Sequence, residues 1–122
     1  MELAIDRLTK QYKNKIAVDR FSINLKPGVY GLLGSNGAGK TTLMRMICDI
    51  QKPTSGQIKY NGKDIKKLGE DYRAVLGYLP QDFGYYPDFT AYDFLMYIAA
   101  LKGISKEKAE MRINELLPVV NL

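Results

Sequence analysis

Apolar side chains recur along this chain in two rhythms. Over residues 2–8, Glu2-Leu3-Ala4-Ile5-Asp6-Arg7-Leu8 alternates polar and apolar positions, the period of a half-buried strand. Residues 16–18 and 21–25 predict two more short strands, the second with Phe21, Ile23 and Leu25 on one face. Between the first and second lies Lys10-Gln11-Tyr12-Lys13-Asn14-Lys15, a polar turn carrying one aromatic ring. Lys26-Pro27-Gly28 makes a tight turn into Val29-Tyr30-Gly31-Leu32-Leu33, an apolar run that predicts a buried strand. Residues 43–48 read as helix, and Lys52-Pro53-Thr54-Ser55-Gly56 stops it, since proline lacks the N–H and glycine suits a turn. Residues 57–60 and 63–65 flank Asn61-Gly62, a strong hairpin signal, which implies a mixed sheet. Residues 66–72 read as a polar loop or a single helical turn, and 74–79 as a second buried strand.

Beyond residue 80 the period lengthens. Phe83-Gly84-Tyr85-Tyr86-Pro87-Asp88-Phe89 is loop-like yet apolar, a composition that invites a partner. Thr90 with Asp93 forms a capping-box pattern opening a helix over 91–102, closed by Gly103. Ser105 caps a second helix, with Ala109, Ile113, Leu116 and Leu117 at helical spacing and a stop around Pro118.

The chain has 122 residues, 46% of them hydrophobic, which suits one modest domain or a piece of one. Its longest apolar run, residues 94–101, is far short of the roughly 20 residues a membrane span needs, and the N-terminus lacks a signal-peptide pattern. A soluble, cytoplasmic chain is expected. The single cysteine, Cys48, excludes an internal disulfide framework and falls on the apolar side of its helix, as a core residue would. The net charge of +5 is spread over scattered lysines with no block of five, so no nucleic-acid partner is expected.

Against this background one stretch carries chemistry. Gly34-Ser35-Asn36-Gly37-Ala38-Gly39-Lys40-Thr41-Thr42 fits the phosphate-loop pattern G-x-x-x-x-G-K-[ST] at every fixed position, between an apolar run and a helix. Its glycines allow a tight turn with N–H groups pointing inward at a phosphate, and the helix N-terminus adds its dipole. In this pattern Lys40 reaches the β- and γ-phosphates, the Thr41 hydroxyl ligates Mg²⁺, and Thr42 reaches the α-phosphate. Ser35, Asn36, Gly37, Ala38 and Gly39 supply the backbone of the cradle.

Tyr12, the loop 34–42, Pro53-Thr54-Ser55-Gly56-Gln57-Ile58, Asn61-Gly62 and Tyr78-Leu79-Pro80-Gln81, in this order, resemble the ATP-binding subunits of ABC transporters over essentially the whole chain. The resemblance implies an α/β fold: a P-loop NTPase core with an N-terminal antiparallel β subdomain over residues 1–80, and the glutamine loop and start of a helical subdomain over 81–122. It implies ATP and Mg²⁺ as ligands and ATP hydrolysis driving transport. Tyr12 matches the aromatic that stacks on adenine. Gln81 matches the glutamine that reaches Mg²⁺ and the attacking water, so Lys40 and Gln81 carry the catalytic roles and Thr41 and Gln81 the metal. The segment after Gln81, with Tyr85, Tyr86 and Phe89, matches the surface that receives a transmembrane permease subunit; the alternative is that these aromatics pack into their own subdomain. A second ATPase subunit and a location on the cytoplasmic face of the membrane are further implications. Leu101-Lys102-Gly103-Ile104 resembles bacterial exporters of drugs, peptides or antibiotics.

The family's Leu-Ser-Gly-Gly-Gln signature, its Asp-Glu-terminated strand and its histidine do not occur in this sequence, whose histidine count is zero. The expectation is therefore an N-terminal part of a longer ATPase, binding ATP weakly by itself and turning it over at or near zero. The alternatives are a soluble relative acting on ribosomes or DNA, and a non-catalytic nucleotide-binding module.

Overall fold

The computed structural model describes residues 1–35, 37–79 and 87–121. The chain begins with two long strands, β1 (Leu3–Tyr12) and β2 (Lys15–Leu25), joined at Lys13-Asn14. Helix α1 (Lys40–Ile47) follows the phosphate loop, then strands β3 (Ser55–Tyr60) and β4 (Lys63–Asp64) and the short helices α2 (Ile65–Leu68) and α3 (Glu70–Ala74). Helices α4 (Ala91–Leu101) and α5 (Lys106–Val119) complete the order. The chain divides into two compact units, Met1–Tyr78 and Leu79–Leu122, each with its own core.

The sheet of the first unit runs β2-β1-β3-β4 and every pairing is antiparallel, so the mixed sheet expected from the sequence is corrected. The hairpin itself is as the sequence reads: Asn61 and Gly62 adopt φ of 50° and 82° between β3 and β4, the left-handed pair a tight hairpin favours. Strand β1 extends to Tyr12, and the two strands expected at 16–18 and 21–25 are one. Both differences come from bulges. Ile5 pairs with Ile23 and Leu8 with Phe21, so β1 gains one residue there; Lys10 pairs with Val18, so β2 gains one in return. The extra residues include Arg7 and Arg20, at φ of 45° and 47°. Their amides turn to the opposing strand: Arg7 N–H donates to Ser22 Oγ at 2.8 Å and Arg20 N–H to Thr9 Oγ1 at 3.0 Å. The outcome is that Ile5 and Leu8, three apart, are both buried.

One face of this sheet carries the first core, in which Ile5, Leu8, Val18 and Ile58 pack with Leu43 and Met46 of α1, Ile65 and Tyr72. Cys48, at the end of α1, is buried as expected, and burial pushes its thiol pKa up. Tyr72 stands edge-on to Tyr60 with centroids 5.8 Å apart, and its hydroxyl donates to the Ile47 carbonyl. Desolvation, seconded by Cys48, Asp49 and Tyr60, raises its pKa from 10.0 to about 12. A folded-state pKa above the unfolded one gives stability that is complete below the unfolded pKa and is lost as pH rises through the folded one. Tyr72→Phe is therefore expected to be less stable than the parent by about 1 kcal/mol below pH ~10, the gap closing and then reversing as the pH rises toward ~12. Urea titrations at several pH values check this; a gap that stays constant with pH would contradict it.

Two expected strands are absent. Residues 29–33 have no strand pairing, and Val29 and Leu33 are 103% and 93% exposed. Ala74 closes α3 and 76–79 are irregular. An apolar run becomes a strand only where neighbours take up its N–H and C=O groups, and among the described residues no strand pairs with either run.

In the second unit, Ala99 of α4 packs with Ala109 and Ile113 of α5, flanked by Tyr92, Leu95, Met96 and Leu117. The caps are those the sequence carries. Thr90 accepts from Asp93 N at 3.1 Å while Asp93 accepts from Thr90 N at 3.2 Å, and Ser105 accepts from Lys108 N at 3.4 Å. Helix α5 runs one residue past Pro118.

Candidate nucleotide site

The phosphate loop is fixed by contact with β2. Gly39 has φ of 90°, and a Cβ added there would lie 2.0 Å from the Ala17 carbonyl oxygen. Only a glycine lets the loop backbone lie this close to the strand in this conformation. The preceding turn closes through Ala38 N–H donating to Ser35 O at 3.1 Å. Helix α1 starts one residue on, with Gly39 as its N-cap, no capping side chain and no acidic residue in the first turn. Its N-terminal amides and dipole are thus offered to an anion without a protein side chain competing for them.

Lys40 is partly buried, and its ammonium donates to the Gly34 carbonyl, spanning the loop. Beside the loop a solvent-open cavity of about 240 Å³ is lined by Val18, Phe21, Leu32 and Leu43 together with the charged Asp19 and Lys40.

Tyr12 lies at the end of β1 and is 43% exposed. Its hydroxyl accepts from the Gln51 side-chain amide, and Lys10 Nζ sits 5.4 Å from the ring centroid. Hydrogen bonds from Gln51 and then Thr42 lower its phenol pKa, with smaller contributions from Lys10 and Arg45 opposing slight desolvation. The structure thereby brings Tyr12 to Thr42, at the start of α1. Lys10 read in the sequence only as part of a polar turn, and Gln51 carried no signal there.

Asn36, Gln81, Tyr85 and Tyr86 lie outside the described residues. Phe89 is described: its ring meets that of Tyr97 of α4 edge-on at 6.3 Å, so it packs in part on the helix that follows it. Among the described residues no group of three or more His, Cys, Asp or Glu side chains is placed to hold a metal. Thr41 is exposed at the first turn of α1, so its hydroxyl fits a cation carried in by a bound triphosphate. No helix among them is long and apolar enough to cross a membrane.

A family model described as ABC transporter matches residues 18–122. The chain is 41% identical over 116 residues to the bacitracin transport ATP-binding protein BcrA of Bacillus licheniformis, covering 94% of this chain and 37% of that protein. It is 37% identical over 115 residues to the methionine import ATP-binding protein MetN of Corynebacterium diphtheriae, covering 90% and 34%. The solved dimeric structure of MJ0796, a bacterial ABC transporter cassette, superimposes with a TM-score of 0.77 at 26% identity, covering 98% of this chain and 57% of that one. The chain thus spans well under half the length of these two curated relatives.

Proposed function

The chain belongs to the ABC transporter family of ATP-binding proteins, and from that premise we propose that it forms the nucleotide-binding part of a transporter's energy-coupling ATPase. The observation that carries the reading is the loop 34–42, pressed onto β2 at Gly39 and opening an uncapped helix beside the Lys40 ammonium. In this reading the loop amides and Lys40 bind the phosphates, Thr42 contributes at the α-phosphate, and the Tyr12 ring stacks on adenine. Mg²⁺ would be held by Thr41 together with phosphate oxygens and the Gln81 amide, where it would neutralise charge on the transferring phosphate.

The remaining assignments follow the same family logic. ATP hydrolysis in the whole protein would power transport, with Gln81 near the attacking water. The segment after Gln81 would meet a transmembrane permease subunit, and a second ATPase subunit would complete the site, a reading supported by the dimeric cassette that this fold resembles. The assembly would lie at the cytoplasmic face of the membrane. Export is the favoured direction, supported by Leu101-Lys102-Gly103-Ile104, which resembles bacterial exporters.

Thermal unfolding of this chain tests the nucleotide reading. Mg-ATP at about 100 times its dissociation constant is expected to stabilise the fold by about 2.7 kcal/mol, roughly a 10 °C rise in Tm, with AMP giving little. The absence of any ATP-dependent shift at millimolar nucleotide would sink the proposal.

A further inference from the structure

Tyr12 is held from outside the phosphate loop, by the segment that follows α1. The Gln51 side-chain amide donates to the Tyr12 hydroxyl. Lys10 lies over the ring and is itself fixed, donating from Nζ to the Lys52 carbonyl at 2.9 Å. The backbone joins the same two segments: Gln11 N–H donates to Thr54 Oγ1 at 3.0 Å and Thr54 N–H to the Thr9 carbonyl at 2.8 Å. The end of β1 and residues 51–54 are therefore stitched together beside the ring.

We propose that Gln51 is a positioning residue for base recognition: by holding the Tyr12 hydroxyl it fixes the plane of the ring, while Lys10 occupies one face and leaves the other for a purine. The inference rests on the reading of Tyr12 as the ring that stacks on the base. An exposed tyrosine held only by its backbone samples several ring orientations, and a base that stacks on it must order it first. Gln51 imposes that order before the nucleotide arrives. The ammonium on the far side adds a second layer, so the stack runs base, ring, cation.

The test compares two ligands that differ in the base. In Gln51→Ala, calorimetry is expected to show Mg-ATP binding weakened about tenfold with Mg-tripolyphosphate binding unchanged. Tyr12→Phe, which keeps the ring and loses the hydroxyl, is expected to show the same loss, and Gln51→Ala added to it no further loss. The ¹³Cζ resonance of Tyr12 is expected to titrate at higher pH in Gln51→Ala, because the largest of the groups lowering its pKa is gone. The proposal is overturned if Gln51→Ala leaves ATP affinity unchanged, or weakens ATP and tripolyphosphate equally. Tyr12→Ala separates the two levels of argument. If it weakens ATP while Gln51→Ala does not, positioning alone fails; if neither affects ATP, the stacking role of Tyr12 fails with it.

Discussion

Lys40→Ala is expected to remove about half or more of the ATP-dependent rise in Tm seen at 100 times the parent's dissociation constant, while leaving the Tm of the ligand-free chain nearly unchanged. The ammonium makes one described bond within the protein, to the Gly34 carbonyl of its own loop, and Lys40 is outside the buried core. Removing it therefore costs the fold little. Its value lies in charge-assisted bonds to phosphate, each worth about 1.5–3 kcal/mol, so losing them weakens ATP by about 10- to 100-fold or more. Lys40→Arg is expected to recover only part of this, because a planar guanidinium is longer and presents its donors in a fork where the loop accommodates a point charge. An alanine variant stabilised by ATP as well as the parent would show that the nucleotide binds elsewhere.

Gly39→Ala acts on the fold and the site at once. The new Cβ would lie 2.0 Å from the Ala17 carbonyl oxygen, in a backbone conformation that side chains rarely adopt. Either β2 or the loop must move, at about 3 kcal/mol or more. Gly56→Ala meets the same kind of obstacle, 2.2 Å from the Arg7 carbonyl oxygen, but at the start of β3. Both variants are expected to unfold at substantially lower temperature, and only Gly39→Ala to lose ATP-dependent stabilisation as well. Urea unfolding with and without Mg-ATP distinguishes them. Equal ATP responses in the two variants would show that the fit of Gly39 against β2 does not shape the binding site.

What the sequence discloses and what it conceals divides along a physical line. The caps at Thr90 and Ser105, the Asn61-Gly62 turn and the phosphate loop are local chemistry, complete within a few residues, and all were legible. Strand continuity was not, because alternation assumes two residues per repeat and the bulges at Arg7 and Arg20 each add one. The break read between 18 and 21 falls on the second bulge. Residues 29–33 and 74–79 were misjudged for another reason: their apolar character is suited to a strand, but pairing depends on neighbours at a distance in the chain. The Gln51 contact to Tyr12 was out of reach on the same grounds, a glutamine 39 positions away carrying no mark of its partner.

The bulge at Arg7 also determines where this sheet tolerates a change of length. Loss of either Asp6 or Arg7 would return β1 to plain alternation, one residue between Ile5 and Leu8 against Ser22 on β2. Gly56 is small because the Arg7 carbonyl bows toward it. The two positions are thus joined, and a side chain at 56 is refused twice, by the Arg7 carbonyl and by its own φ of 86°, so shortening β1 at 7 does not by itself admit one.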